Sequence, residues 1–209
     1  MDMYKIVSEN PVLAIMRNIP FEYTVKYAET VVRGGISFFE IALNSEHGFE
    51  QIDILRKYFG DDVRIGAGTV ITTELAKKAL DCGAEFLLTP GTPVDVLEYC
   101  EQQDIQLLPG VYTPSDIATC LEHGFKTMKL FPADCLPAGY VKALTGPFDD
   151  ANYVAIGGVN PQNIQEFLSN GFAGVGIASN LMPSYILKEQ KWSEGEEYVQ
   201  KYMDGLKKQ

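Results

Sequence analysis

Lys129 lies in the run TMKLFP, with Met128, Leu130 and Phe131 around it. If that run is a strand, alternation sends Thr127, Lys129 and Phe131 to one face. An ammonium taken into an apolar cavity loses hydration, which favours the neutral amine. A neutral amine attacks a ketone to give a carbinolamine and then an imine. The alternative is a strand facing its helices, with Lys129 snorkelling out to water at a loop. Glu40 interrupts a second apolar run, FFEIAL, where alternation groups it with Phe38 and Ala42. A carboxylate buried there is costly unless paired or hydrogen-bonded. Near an imine it could move protons, directly or through water. Equally, it could form a structural ion pair with a lysine across the core.

Further polar groups stand at the ends of neighbouring runs. Arg17 ends AIMR, Asn44 ends FFEIALN and Thr69 ends GAGT. Together they could hold a carboxylate, Arg17 as a planar fork and Thr69 as a hydroxyl donor. The alternatives are a surface salt bridge for Arg17 and a helix cap or loop role for Thr69. Gly157 and Gly158 end one late run, and Gly176 to Ser179 end the next. Glycine lets backbone N–H groups approach a phosphate, and Ser179 adds a hydroxyl. The competing account is that these glycines only make tight turns.

These residues need a scaffold that gathers strand ends. The runs 12–17, 38–44, 63–69, 86–91, 105–111, 127–133, 153–158 and 174–179 have strand length and end near Gly, Pro, Asn or Thr. Amphipathic stretches lie between them. Segment 22–33 puts Val25, Ala28 and Val32 on one face and stops at Gly34-Gly35. Segments 72–82, 113–123 and 161–170 carry cap residues, with Pro114 and Pro161 just inside the last two starts. Eight strands alternating with seven helices imply parallel strands and right-handed crossovers. The fold class expected is α/β, a single (β/α)8 TIM barrel over residues 1–209 with a lead-in helix. A charged helix near 194–208, anchored by Trp192 and Tyr198, follows the last strand, and its EGEE run reads as a solvated face. An open doubly wound sheet is the alternative, weakened because no Gly-x-Gly-x-x-Gly follows the first strand.

Composition narrows the partners. Acids outnumber bases 28 to 17, a net charge of −11, which disfavours nucleic acid and anionic membranes. Cys82, Cys100, Cys120 and Cys135 form no CxxC pair, and His47 and His123 are far apart. No metal site and no cofactor are expected from them. The start, MDMYKIV, lacks the basic-then-apolar order of a signal peptide, and no apolar run approaches a membrane span. A cytoplasmic location is the expectation.

The motifs taken together resemble the 2-keto-3-deoxy-6-phosphogluconate (KDPG) / 4-hydroxy-2-oxoglutarate (KHG) aldolase family. MKLFPAD resembles its Schiff-base lysine motif and FFEIALN its acid/base strand. GAGTV, TPG, PGV, VKALTGPF and the late GGV follow in the family's order, over roughly residues 8 to 182. The resemblance implies a class I aldolase without metal, cleaving a 2-keto-3-deoxy-6-phospho sugar acid to pyruvate and D-glyceraldehyde 3-phosphate. Lys129 would form the imine and Glu40 would move the protons. Thr69 and Pro90 would shape the pyruvate pocket, Phe131 would line it, and Gly157, Gly158 and Ser179 would hold phosphate. A homotrimer is also implied. Two departures point to the galactonate branch. Asn44 stands where the gluconate branch often carries arginine, with Arg17 as its replacement from a neighbouring strand. Ile156 stands before Gly157 where that branch has threonine, and an apolar side chain reads a substrate hydroxyl poorly. The alternatives are a KHG aldolase, a phosphate-binding epimerase or isomerase, a metal-dependent pyruvate aldolase and a metabolite-binding barrel without catalysis.

Overall fold

A computed structural model describes residues 3–207. The lead-in helix α1 (Met3–Glu9) precedes β1 (Val12–Met16). Then come α2 (Thr24–Arg33), β2 (Phe38–Ala42), α3 (Gly48–Phe59), β3 (Arg64–Gly68), α4 (Thr73–Asp81) and β4 (Leu87–Leu88). The second half has α5 (Val94–Gln102), β5 (Leu107–Leu108), β6 (Gly110–Val111), α6 (Pro114–Glu122) and β7 (Thr127–Leu130). It ends with α7 (Tyr140–Leu144), β8 (Asn152–Ile156), α8 (Ile164–Ser169), β9 (Gly174–Ile177), α9 (Ser184–Lys188) and α10 (Trp192–Lys207).

All strand pairs are parallel, in the order β5-β4-β3-β2-β1-β9-β8-β7-β6. The run expected as one fifth strand over 105–111 is two dipeptides flanking Pro109. Proline has no N–H for the ladder; the Pro109 carbonyl instead accepts from the Lys129 N–H at 2.8 Å. Leu107 and Leu108 pair with β4, while Gly110 and Val111 pair with β7. The two ends of the strand order are thus one stretch of chain, and the sheet closes on itself. The eight positions expected of a TIM barrel are present, and the open-sheet alternative is excluded.

Strand alternation splits the apolar residues into two cores. Leu13, Ile15, Phe38, Leu108, Val154 and Ile156 fill the barrel, joined by Met3, Ile6 and Val7 of α1. Ala14, Met16, Phe39, Ile41, Met128, Leu130 and Tyr153 face the helices. Each such side chain contributes about 1.5–3 kcal/mol when fully buried. Lys129 and Glu40 share the period of the inner set.

Some local expectations shift. α8 starts at Ile164 rather than 161, because Asn160 and Asn163 close a turn through the Asn160 N–H and Asn163 Oδ1 at 2.8 Å. α2 buries Thr24, Tyr27, Ala28 and Val31, about one residue round from the expected face. Val25 and Val32 flank it. Thr24 faces inward because its hydroxyl accepts from Gln51 Nε2 at 3.0 Å. Trp192 and Tyr198 pack against the core as expected of anchors, partly buried, while Val199 and Met203 of α10 are buried outright. Gly34, after α2, gives the Val199 side chain its seat. The expected end of this helix at 208 lies outside the described residues.

Candidate active site

β7 and β2 supply the two groups in the barrel interior. Lys129 is 4% exposed and Glu40 is fully buried. Lys129 therefore points inward, and the snorkelling account does not hold. Its Nζ lies 5.1 Å from the centre of the Phe131 ring, which stands half-exposed at the strand end. That cation–π contact places an aromatic wall beside the amine. Among the described residues no ion pair joins Lys129 to Glu40. Neither carboxylate oxygen of Glu40 has a hydrogen-bond partner. The structural ion-pair account of these two residues thus fails. A buried carboxylate unmatched by the protein is set to receive a donor from something that enters.

Gly68 makes room for that carboxylate. A Cβ at Gly68 would sit 1.8 Å from Glu40 Oε1 and 2.3 Å from its Cδ. The register explains the contact, since Glu40 pairs with Gly66 and the side chain leans along the strand over Gly68. The inward glycine of GAGT is therefore part of how Glu40 is held.

The rim above β1 to β4 carries the next group. Arg17 follows β1 and is exposed, with no ion pair among the described residues, so the surface salt bridge is absent. The next N–H, of Asn18, donates to Ser45 Oγ at 3.0 Å and ties this end to the β2 loop bearing Asn44. Thr69 lies 3.4 Å from Asn44, hydroxyl to amide oxygen. Its φ of 62° is left-handed, an outlier for a β-branched residue and a mark of local strain. The capping role belongs to Thr72, whose hydroxyl accepts from the Leu75 N–H. Pro90 is exposed after β4, its backbone against Gly110. Thr89 fastens this contact, donating to the Gly91 carbonyl at 2.6 Å and accepting from the Gly110 N–H at 3.0 Å.

On the other side, Ile156 ends β8 buried in the inner core, and Gly157 and Gly158 turn with φ of 101° and 70°. Only glycine adopts both readily. Their open sides also receive the loop after β7. A Cβ on Gly157 would meet Pro132 at 3.0 Å, and one on Gly158 would meet Asp134 Cβ at 2.2 Å. Ser179 is exposed after β9, and the neighbouring Asn180 amide donates to the Val159 carbonyl at 3.4 Å, linking the two loops. From Thr69 through Asn44, Arg17, Ser179 and Gly157 to Lys129, the residues follow adjacent strands β3-β2-β1-β9-β8-β7. All stand at or beyond the C-terminal strand ends, except Glu40 and Lys129 within them.

A model of the KDPG and KHG aldolases matches residues 3–197. The chain belongs to this aldolase family. A 2-dehydro-3-deoxy-6-phosphogalactonate aldolase of Escherichia coli strain K12 is 29% identical over 198 residues, covering 94% of this chain and 96% of that one. A 2-dehydro-3-deoxy-phosphogluconate aldolase of Pseudomonas aeruginosa is 31% identical over 188 residues, covering 89% and 83%. A KDPG aldolase of Legionella pneumophila, whose crystal structure has pyruvate captured as a covalent carbinolamine, superposes with a TM-score of 0.88. It is 29% identical and covers 97% of this chain and 98% of that one.

The protein is thus an aldolase, a lyase of carbon–carbon bonds, which sets aside the epimerase and binding-barrel alternatives. The expected residues of this aldolase fall on one end of one barrel. Two contributors escaped the sequence. Thr89 and Gly68 stand inside the motifs TPG and GAGT, but their roles depend on cross-strand register. Asp134, the last residue of MKLFPAD, lies against Gly158 from a turn where no periodicity orients it. No group of three or more His, Cys, Asp or Glu suited to a metal occurs among the described residues. No helix among them is long and apolar enough to cross a membrane.

Proposed function

We propose that this aldolase cleaves a 2-keto-3-deoxy-6-phospho sugar acid to pyruvate and D-glyceraldehyde 3-phosphate through an imine on Lys129. The carrying observation is a buried lysine and a buried, unpartnered carboxylate inside the same barrel. The Lys129 amine attacks the C2 ketone, and loss of water gives the iminium. A base removes the proton of the C4 hydroxyl, the C3–C4 bond breaks, and its electron pair enters the enamine. Glu40, through water, moves these protons and returns one to C3. Hydrolysis of the imine then releases pyruvate.

Arg17 takes the substrate carboxylate, with Asn44 beside it. Thr69 and Pro90 shape the pyruvate pocket and Phe131 lines it. Gly157, Gly158 and Ser179 hold the phosphate. Relatives of both epimer classes match with similar identity. The apolar Ile156 supports a relaxed or galactonate-leaning choice at C4; strict gluconate preference in paired kinetics would refute it. We read residues 1–209 as one aldolase domain, assembling as a homotrimer, which sedimentation equilibrium tests against a monomer. Four free thiols suit a reducing cytoplasm.

The test is mass spectrometry after incubation with pyruvate and sodium borohydride. A reduced pyruvate adduct on Lys129, absent in Lys129→Ala, is expected. No adduct on the wild type would overturn the mechanism.

A further inference from the structure

The loop after β7 joins the two halves of the site. It leaves Lys129 through Phe131 and makes a single 3-10 turn, Ala133–Cys135, before α7. Its backbone is pinned. The Tyr112 hydroxyl donates to the Cys135 carbonyl at 3.3 Å, and the Tyr140 hydroxyl donates to the Tyr112 carbonyl at 2.6 Å. Asp134 stands in the middle of this turn with its side chain on the bare face of Gly158. Its Oδ2 is 2.5 Å from where a Gly158 Cβ would be. Among the described residues the only hydrogen bond to the carboxylate is from the weak Cys135 thiol, at 3.7 Å from Oδ1, and no ion pair includes it. The negative charge is felt locally, since it is the leading cause that pushes the Cys135 thiol up.

An exposed carboxylate on a pinned turn is an odd neighbour for a phosphate loop. Against the phosphate itself it is repulsive, so it adds nothing to anion affinity. It is, however, a strong acceptor for a hydroxyl presented beside the phosphate. Ile156, the last residue of β8, offers no polar atom for such a hydroxyl.

We propose that Asp134 is a specificity-determining residue that accepts a hydrogen bond from the substrate hydroxyl on the carbon next to the phosphate-bearing carbon. The substrate chain runs from the imine at Lys129 to the phosphate at Gly157 and Gly158, and Asp134 stands at the second end. This rests on the reading that those glycines and Ser179 hold phosphate. Asp134 thus selects acceptor aldehydes that carry a 2-hydroxyl beside a phosphorylated carbon over deoxy analogues of equal charge.

The test compares two competitive inhibitors of cleavage on wild type and Asp134→Ala: sn-glycerol 1-phosphate, whose middle hydroxyl has the configuration of D-glyceraldehyde 3-phosphate, and 3-hydroxypropyl phosphate, which lacks only that hydroxyl. Both probes carry the same charge, so repulsion from Asp134 cancels in the ratio of their inhibition constants. Wild type should favour the hydroxylated probe by about tenfold or more, as a hydrogen bond to a charged acceptor allows. In Asp134→Ala the ratio should fall to within about twofold, with pyruvate trapping on Lys129 unchanged. A wild-type ratio near one, or a ratio that survives Asp134→Ala, would overturn the proposal. Failure of both probes to compete would instead remove the phosphate reading on which it stands, and the proposal with it.

Discussion

Replacing Gly68 with alanine should disable Glu40 without touching its carboxyl group. The backbone at Gly68 does not lie in the left-handed region, so alanine suffers no conformational strain there. Only space forbids it. The new methyl carbon would stand 1.8 Å from Oε1, 2.3 Å from Cδ and 2.5 Å from Cγ of Glu40. Three side-chain atoms in such contact cannot be relieved by a small shift, so the carboxylate must swing away. Overpacking of this kind costs about 1–3 kcal/mol. At roughly 2–4 °C per kcal/mol for a chain of this size, Tm should fall by about 2–12 °C, leaving a folded protein at 25 °C. Losing a positioned acid/base group should lower kcat by about 10²–10⁴. The assay is deuterium exchange at the pyruvate methyl group, followed by proton NMR, beside cleavage coupled to lactate dehydrogenase. Exchange needs the imine and the proton carrier but no phosphate, so it isolates this step. Glu40→Gln serves as the benchmark. If Gly68→Ala keeps more than about a third of the wild-type exchange rate while Glu40→Gln is inactive, the carboxylate does not act from the place described. If both stay active, Glu40 is not the proton carrier.

Three further expectations concern stability and reactivity. Thr127 is 2% exposed and its hydroxyl has no partner, so Thr127→Val should hold Tm or raise it by a few degrees, with kcat within about twofold; a clear fall in Tm would show that the hydroxyl is bonded. Burial pushes the thiols of Cys100 and Cys120 up to about 12, so a disulfide reagent at pH 8 should spare them in the native state and modify exposed Cys135 first. Asp134→Ala should speed that modification, because the carboxylate holds the thiol protonated. Asp116 closes the capping box of α6, and its removal should cost about 1 kcal/mol, read as a lower Tm. Burial pushes this carboxyl up, but hydrogen bonds from the Thr113 and Tyr112 N–H groups and from two threonine hydroxyls hold it below its ordinary value. The folded chain therefore binds fewer protons there than the unfolded one. The stabilisation is full above the unfolded value of about 4 and fades as pH falls through the folded one, so the gap between wild type and Asp116→Ala should narrow in acid.

The features legible beforehand were those written in periodicity. Period-two alternation grouped Glu40 with Phe38 and Lys129 with Thr127 and Phe131, while burial decides that both groups turn inward. The caps at Thr72 and Thr113 were read from local chemistry. What escaped depends on contacts between distant segments. Pro109 splits a run that looks continuous, since hydropathy ignores a missing donor. The seat that Gly68 gives Glu40 requires a register between strands. Thr89 stood inside the motif TPG with no role of its own, although its hydroxyl staples two strand ends. Asp134 belongs to a short turn whose direction is set by Gly158 and Tyr112, neither near it in sequence.

The N-terminal helix has a consequence for biosynthesis. Its Val7 packs on Gly174, the first residue of the last strand, and its neighbour β1 pairs with that same strand. This helix therefore leaves the ribosome well before the strand it packs on. At bacterial to eukaryotic translation speeds of about 5–20 residues per second, the wait is on the order of ten to thirty seconds. During it, Met3, Ile6 and Val7 have no completed barrel to enter, and the interior stays open at one end. Contacts of such long sequence separation form late. Until β9 emerges, the nascent chain thus exposes the apolar face of this helix beside an unclosed sheet edge, the state in which a holding chaperone would have most to bind.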